Sequence, residues 1–178
     1  HKPGVTEKAT ELLETARAAG IRAKIDLSEN SPGWKFAEYE MKGVPLRLEV
    51  GPRDIEQGQC VLVRRDTREK TVVKFEDLAS TIPALLEDIQ KALFEKALRN
   101  REEHTYTAKS LDEMKEILKE HVGFVKSMWC GDRACEEKIK EETGMPSRCM
   151  PFEQEHISDV CPVCGKPAHK MVVWGIAY

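Results

Sequence analysis

Four cysteines in two short pairs are the residues best placed to do chemistry. Cys130 and Cys135 have four residues between them, Cys161 and Cys164 have two, and 25 residues separate the pairs. Spacings of two to four let one turn offer two thiolates to a single ion, and two such pairs close a tetrahedron. Gly165, directly after Cys164, permits the tight turn that the second pair needs. The chemistry predicted is a structural zinc site, because four protein ligands leave no open position for a water or a substrate. Cys149, His156 and His169 lie in the same stretch, and exchanging one cysteine for one of them would still give a valid site. Four cysteines are preferred because they form two short pairs. The rival chemistry is thiol redox exchange at Cys161-Pro162-Val163-Cys164, which needs the first cysteine at a helix N-terminus. Gly165 and Pro167 follow at once, and strand-like residues come next, which argues against that helix. Cys60 and Cys149 read instead as small buried hydrophobes.

A second constellation lies in residues 33–54. Trp34, Phe36 and Tyr39 stand among Lys35, Glu38, Glu40, Lys42, Arg47, Glu49, Arg53 and Asp54. Aromatic faces stack on unpaired bases, while Arg, Lys, Glu and Asp read base edges, so the mixture suits a single-stranded RNA loop. The competing reading is a core aromatic cluster beside a solvated charged face, with Trp34 and Tyr39 as its core members.

Composition narrows the rest. The 178 residues suffice for one medium domain or two small ones, at 40% hydrophobic and 33% charged. The net charge is −3, and residues 1–100 balance 17 basic against 17 acidic side chains. RNA contact must therefore be local rather than a broad basic footprint. No apolar run approaches the roughly 18 residues of a membrane span, and the charged start shows no secretory signal. Six cysteines without such a signal suit a reducing compartment. No phosphate-cradling Gly-rich loop, dinucleotide fingerprint or nucleophile elbow is present. On residues alone the chain reads as a binding module and not as a complete enzyme.

Elements must position these groups. A helix is predicted from an N-cap at Thr6 to Gly20, then a strand over Ile21–Leu27, a short helix over Trp34–Met41 and a strand over Val44–Val50. Cys60–Val63 and Thr71–Phe75 form a predicted hairpin. A long helix follows, capped by Ser80 or Thr81 with Pro83 in its first turn, and reaches Glu103. The polar residues 104–109 read as a domain boundary, and Ser110 to Glu113 match a capping box. Beyond lie a strand over Val122–Trp129, a helix over Asp132–Glu142, a short extended piece over Arg148–Phe152 and a final strand from Lys170. Alternating helices and strands argue for an α/β layer in residues 1–105, followed by a small α+β unit in residues 106–178.

At this point the sequence resembles a family. Gly33 to Asp54, followed by Gln59 to Arg65, is similar to the mixed-sheet anticodon-binding domain of prolyl-tRNA synthetases of the archaeal and eukaryotic type. Trp129 to Asp132, Ala134 to Glu136, Cys149 to Phe152, the Cys161–Cys164 knuckle and the end Trp174 to Tyr178 resemble that family's C-terminal zinc-binding domain. The resemblance covers nearly the whole chain. It implies that the parent enzyme activates proline with ATP and magnesium and charges tRNA(Pro). It implies that Phe36, Glu40, Arg47, Arg53 and Asp54 read the two guanines shared by proline anticodons. Phe36 would stack, Glu40 and Asp54 would accept from guanine N–H groups, and Arg47 and Arg53 would donate. It further implies that Tyr178 packs toward the catalytic domain, that the full enzyme is a cytoplasmic homodimer, and that no membrane is involved. The family's catalytic domain, with its ATP site, precedes this region and is not in the sequence, so the chain is expected to be a fragment unable to form prolyl-adenylate. The apolar strand that usually opens the anticodon-binding domain is also missing, so its sheet should lack one inner strand unless another polypeptide supplies it. The alternative reading is a non-catalytic zinc-ribbon interaction module that uses residues 110–178.

Overall fold

The computed structural model describes residues 4–176. The chain divides into two compact units, residues 1–95 and 96–178. The expectation for Tyr178 lies outside the described residues.

In the first unit, β1 (Leu46–Glu49), β2 (Gln59–Arg64) and β3 (Lys70–Lys74) form an antiparallel sheet in that order. Period-two alternation sends Leu46, Leu48, Cys60, Leu62 and Val73 to one face. Helix α1 (Val5–Ala18) covers that face with Leu12 and Ala16, and α4 (Leu78–Glu103) covers it with Leu78 and Ile82. Arg64, only 7% exposed, is on the same face and bridges Asp66 at 2.8 Å and Asp88 of α4 at 2.6 Å. Its guanidinium holds the Asp66 carboxyl below the usual carboxylate range. Register then places Arg47, Glu49, Val61 and Val63 on the opposite face. There α2 (Pro32–Met41) lies over Val63, capped by Ser31 and tethered where Lys35 Nζ donates to the carbonyls of Asp26 and Ser28. The short α3 (Pro52–Glu56), absent from the sequence reading, follows β1.

Three local expectations are corrected. Residues 21–27 join no described strand: their alternation survives as the packing of Ile21 and Ala23 on the core, without a hydrogen-bonded ladder. Helix α1 is capped at Gly4, not Thr6. Helix α4 starts at Leu78, because burial of Leu78 at 1% exposure recruits the preceding turn, and the Ser80 hydroxyl donates to the Asp77 carbonyl instead of capping.

The second unit holds a mixed sheet in the order β4-β5-β7-β6, built from β4 (Thr105–Thr107), β5 (Phe124–Trp129), β7 (Lys170–Gly175) and β6 (Ser147–Cys149). Strand β4 occupies the polar stretch read as a boundary and pairs in parallel with β5, while the remaining pairs are antiparallel. Gly123 makes that parallel start possible, since a Cβ there would lie 2.1 Å from the His104 carbonyl oxygen. Helices α5 (Leu111–Glu120) and α6 (Arg133–Thr143) pack Met114 and Ile139 onto Val125, Val172 and Trp174. The buried Trp174 indole N–H donates to Ser127 Oγ at 2.8 Å, which satisfies both groups. At the N-terminus of α5, Ser110 Oγ accepts from the Glu113 N–H, and the Glu113 carboxylate answers the Lys109 N–H instead of that of Ser110. A second, smaller cluster of buried residues consists of Met128, Cys135, Cys161, Ala168 and Met171.

Candidate nucleic-acid interface and metal centre

On the first unit's sheet, Arg47 leaves β1 on the face opposite the core. Its guanidinium carbon stands 3.8 Å from the centre of the Phe36 ring, supplied by α2. Nη1 donates to Glu40 Oε1 at 2.9 Å and Nε to Glu49 Oε1 at 2.8 Å. Arg68, from the β2–β3 turn, pairs with the other Glu40 oxygen, and Lys70 reaches Glu49 at 3.6 Å. Hydrogen bonding from Arg47, with the charge of Arg68 added, outweighs the burial penalty and keeps the Glu40 carboxyl below its ordinary range. The result is a planar cation fixed against an aromatic ring, with carboxylates at its edge: a surface able to stack a base and exchange hydrogen bonds with its polar rim.

Phe36, Glu40 and Arg47 therefore meet. Arg53 and Asp54 stand on α3 and share no hydrogen bond or ion pair with those three among the described residues. Asp54 Oδ2 accepts the Gly51 N–H at 2.8 Å, so one carboxylate oxygen already caps α3, while Arg53 is exposed. Trp34, read as a core member, is 51% exposed. At 100° per residue it lies about 160° around α2 from Phe36, so seating Phe36 on the sheet turns Trp34 outward. Sequence reading missed Arg65 and Arg68. The hairpin register would have found Arg65, which is two residues beyond Val63, the partner of Arg47.

In the second unit the sulfurs of Cys130, Cys135, Cys161 and Cys164 lie within 4.8 Å of one another, and Cys149, His156 and His169 are outside that group. Cys130 follows β5 directly, and Cys135 sits in the first turn of α6, whose cap is Asp132 accepting from Ala134. Cys161 and Cys164 belong to a knuckle closed by the Val160–Pro167 bridge and by the Gly165 N–H donating to the Cys161 carbonyl at 3.0 Å. Gly165 adopts φ 70°, which a side chain would strain. Burial opposes ionisation of Cys161, but the backbone N–H groups of Cys164, Val163 and Cys130 overcome it and bring the thiol down to about 7. Burial, with the neighbouring thiols adding, pushes Cys135 up.

Four thiolates at such range repel one another unless a cation sits among them. The Cys130 and Cys164 sulfurs are 3.7 Å apart. A tetrahedron with zinc–sulfur bonds of about 2.3 Å has an edge of about 3.8 Å, so the donor set fits zinc.

Cys149, expected to be buried, is exposed because β6 is a three-residue edge strand with outward side chains. Cys60 is fully buried, and burial pushes its thiol up to about 11. Alkylation at mildly alkaline pH, followed by peptide mapping, should mark Cys149 within minutes and Cys60 only in denaturant. Early labelling of Cys60 would contradict the packing described above.

Comparison with known proteins joins the two units. Residues 2–85 match the family model described as an anticodon binding domain. The first unit is thus of the class that transfer-RNA ligases use to read anticodons. Residues 111–178 match the model described as prolyl-tRNA synthetase, C-terminal. A proline–tRNA ligase of Clostridium novyi is 60% identical over the whole chain, and one of Lachnospira eligens is 57% identical over 99% of it. A crystal structure of prolyl-tRNA synthetase from Cryptosporidium parvum, complexed with L-proline and AMP, superposes with a TM-score of 0.89 at 38% identity, covering 97% of this chain. The chain belongs to the prolyl-tRNA synthetase family, as its anticodon-binding and C-terminal region. It spans 37% of the length of these relatives. Among the described residues, no helix is long and apolar enough to cross a membrane.

Proposed function

We propose that this chain recognises the anticodon loop of tRNA(Pro) for a proline–tRNA ligase whose catalytic domain activates proline with ATP and magnesium, working as a cytoplasmic homodimer. Residues 1–105 are the anticodon-binding domain and residues 106–178 the zinc-binding domain. The observation that carries the reading is Arg47 fixed on Phe36 and bonded to Glu40. Phe36 and Arg47 stack on a guanine. Glu40 and Asp54 accept from guanine N–H donors, and Arg47 and Arg53 donate to its acceptors or to phosphate. Cys130, Cys135, Cys161 and Cys164 hold zinc, which when bound ties β5 and α6 to the knuckle.

Binding of anticodon stem-loops to the 178-residue chain tests this reading. A loop carrying the two proline guanines should bind at least tenfold more tightly than one with adenines in their place. Arg53→Ala should weaken binding of the guanine loop by about 1–3 kcal/mol. Equal affinity for the two loops would sink the reading. It would favour the zinc-ribbon interaction module, to which the exposed Met150 and Phe152 lend themselves.

A further inference from the structure

Arg65 extends the antiparallel pairing of β2 with β1 by one residue, its backbone N–H donating to the Pro45 carbonyl at 2.9 Å. Two residues from Val63, its side chain emerges on the Arg47 face. There it lines a depression of about 10 Å³ together with Phe36, Tyr39, Glu40 and Arg47. The Arg65 Nε is buried, and no acceptor among the described residues takes its N–H. Arg64, its neighbour on the opposite face, has Nε bonded to Asp66 at 3.1 Å, so the orphaned donor is particular to this position.

A buried N–H without an acceptor is costly, and native proteins seldom keep one without a use. The depression that Arg65 lines admits roughly one oxygen-sized atom. Its lining combines a carboxylate, Glu40, with the cation Arg47, and Arg68 pairs with Glu40 beside it. Guanine offers N–H donors to a carboxylate and the O6 and N7 acceptors to a guanidinium, whereas adenine presents an amino group where guanine has O6.

We propose that Arg65 is a further specificity-determining residue of the anticodon site, its Nε–H donating to the O6 of the guanine that Phe36 and Arg47 hold; this rests on the anticodon-binding reading above. The contact separates guanine from adenine, because the amino group of adenine would bring a second donor against Nε. Arg65→Lys keeps the positive charge and the backbone bond to Pro45 but removes Nε.

The test measures binding of the wild-type and Arg65→Lys chains to the proline anticodon stem-loop, and to loops with 2-aminopurine, which lacks O6, at each guanine in turn. Arg65→Lys should lose tenfold or more on the guanine loop and less than twofold on one of the 2-aminopurine loops. Independently of any variant, the Arg65 Nε–H proton resonance of the wild type should move downfield when the guanine loop is added, and not with the matching 2-aminopurine loop. Unchanged affinity of Arg65→Lys, an equal loss on every loop as a phosphate contact would give, or a still resonance overturns the proposal and leaves the anticodon reading standing. A wild-type chain that does not prefer the guanine loop over an adenine loop overturns both.

Discussion

Arg47→Ala is expected to lower affinity for the proline anticodon stem-loop by about 2–3 kcal/mol, roughly 30- to 150-fold. This exceeds the loss expected for Arg53 because Arg47 does three things at once. It lies 3.8 Å from the Phe36 ring centre, bonds Glu40 and bonds Glu49. Its removal takes away a stacking surface and a guanidinium donor, and it frees Glu40 to swing toward Arg68. The substitution also removes the chief cause of the depressed Glu40 pKa, so that carboxyl should titrate at higher pH in the variant than in the wild type. Calorimetric binding and carboxyl NMR titration measure the two effects. A variant that binds as the wild type does would mean that this face is not the RNA surface.

Metal removal should have the larger structural effect. The cluster around the cysteines is small: Met128, Ala168 and Met171 are buried with two of the cysteines, and Trp129, Ile157, Val163 and Val173 pack against them partly buried. So little apolar surface does not hold a knuckle shut unaided, and structural zinc sites supply about 10–16 kcal/mol of apparent binding energy. One zinc per chain is expected. Chelation or Cys161→Ala should melt the second unit, seen as loss of its near-ultraviolet signal from the buried Trp174 and as a lower Tm. The thiols of Cys130 and Cys135 are held up by burial in the metal-free chain, so zinc uptake must release protons and its affinity must fall as pH drops. A chelated chain with unchanged melting and no released metal would remove this account.

Much of this was legible before the structure. The hairpin of β2 and β3, the Ser110 cap and the two cysteine pairs follow from periodicity, cap chemistry and ligand spacing, all of which are local. What escaped depends on partners distant in sequence. Residues 21–27 alternate like a strand, but a strand exists only where another pairs with it. Residues 104–109 look like a linker until β5 runs beside them. Trp34 was assigned to the core by its type, and only the seating of Phe36 decides which way α2 turns it. Arg65 and Arg68 needed the register of β1 against β2 before they could be placed beside Arg47 and Glu40.

The alternation of the three-stranded sheet carries a consequence for how such a region can change over generations. In β1 and β2 the even positions, 46, 48, 60 and 62, build the core, while 47, 49 and, just beyond β2, 65 lie on the opposite face, the one proposed above to meet the RNA. Truncating the buried Leu62 to Ala costs about 2–5 kcal/mol. A change at an odd position leaves the hydrophobic layer intact. Selection can therefore retune which bases are accepted while the scaffold beneath is conserved, and a laboratory library restricted to the odd positions should yield a high fraction of folded members with altered preference.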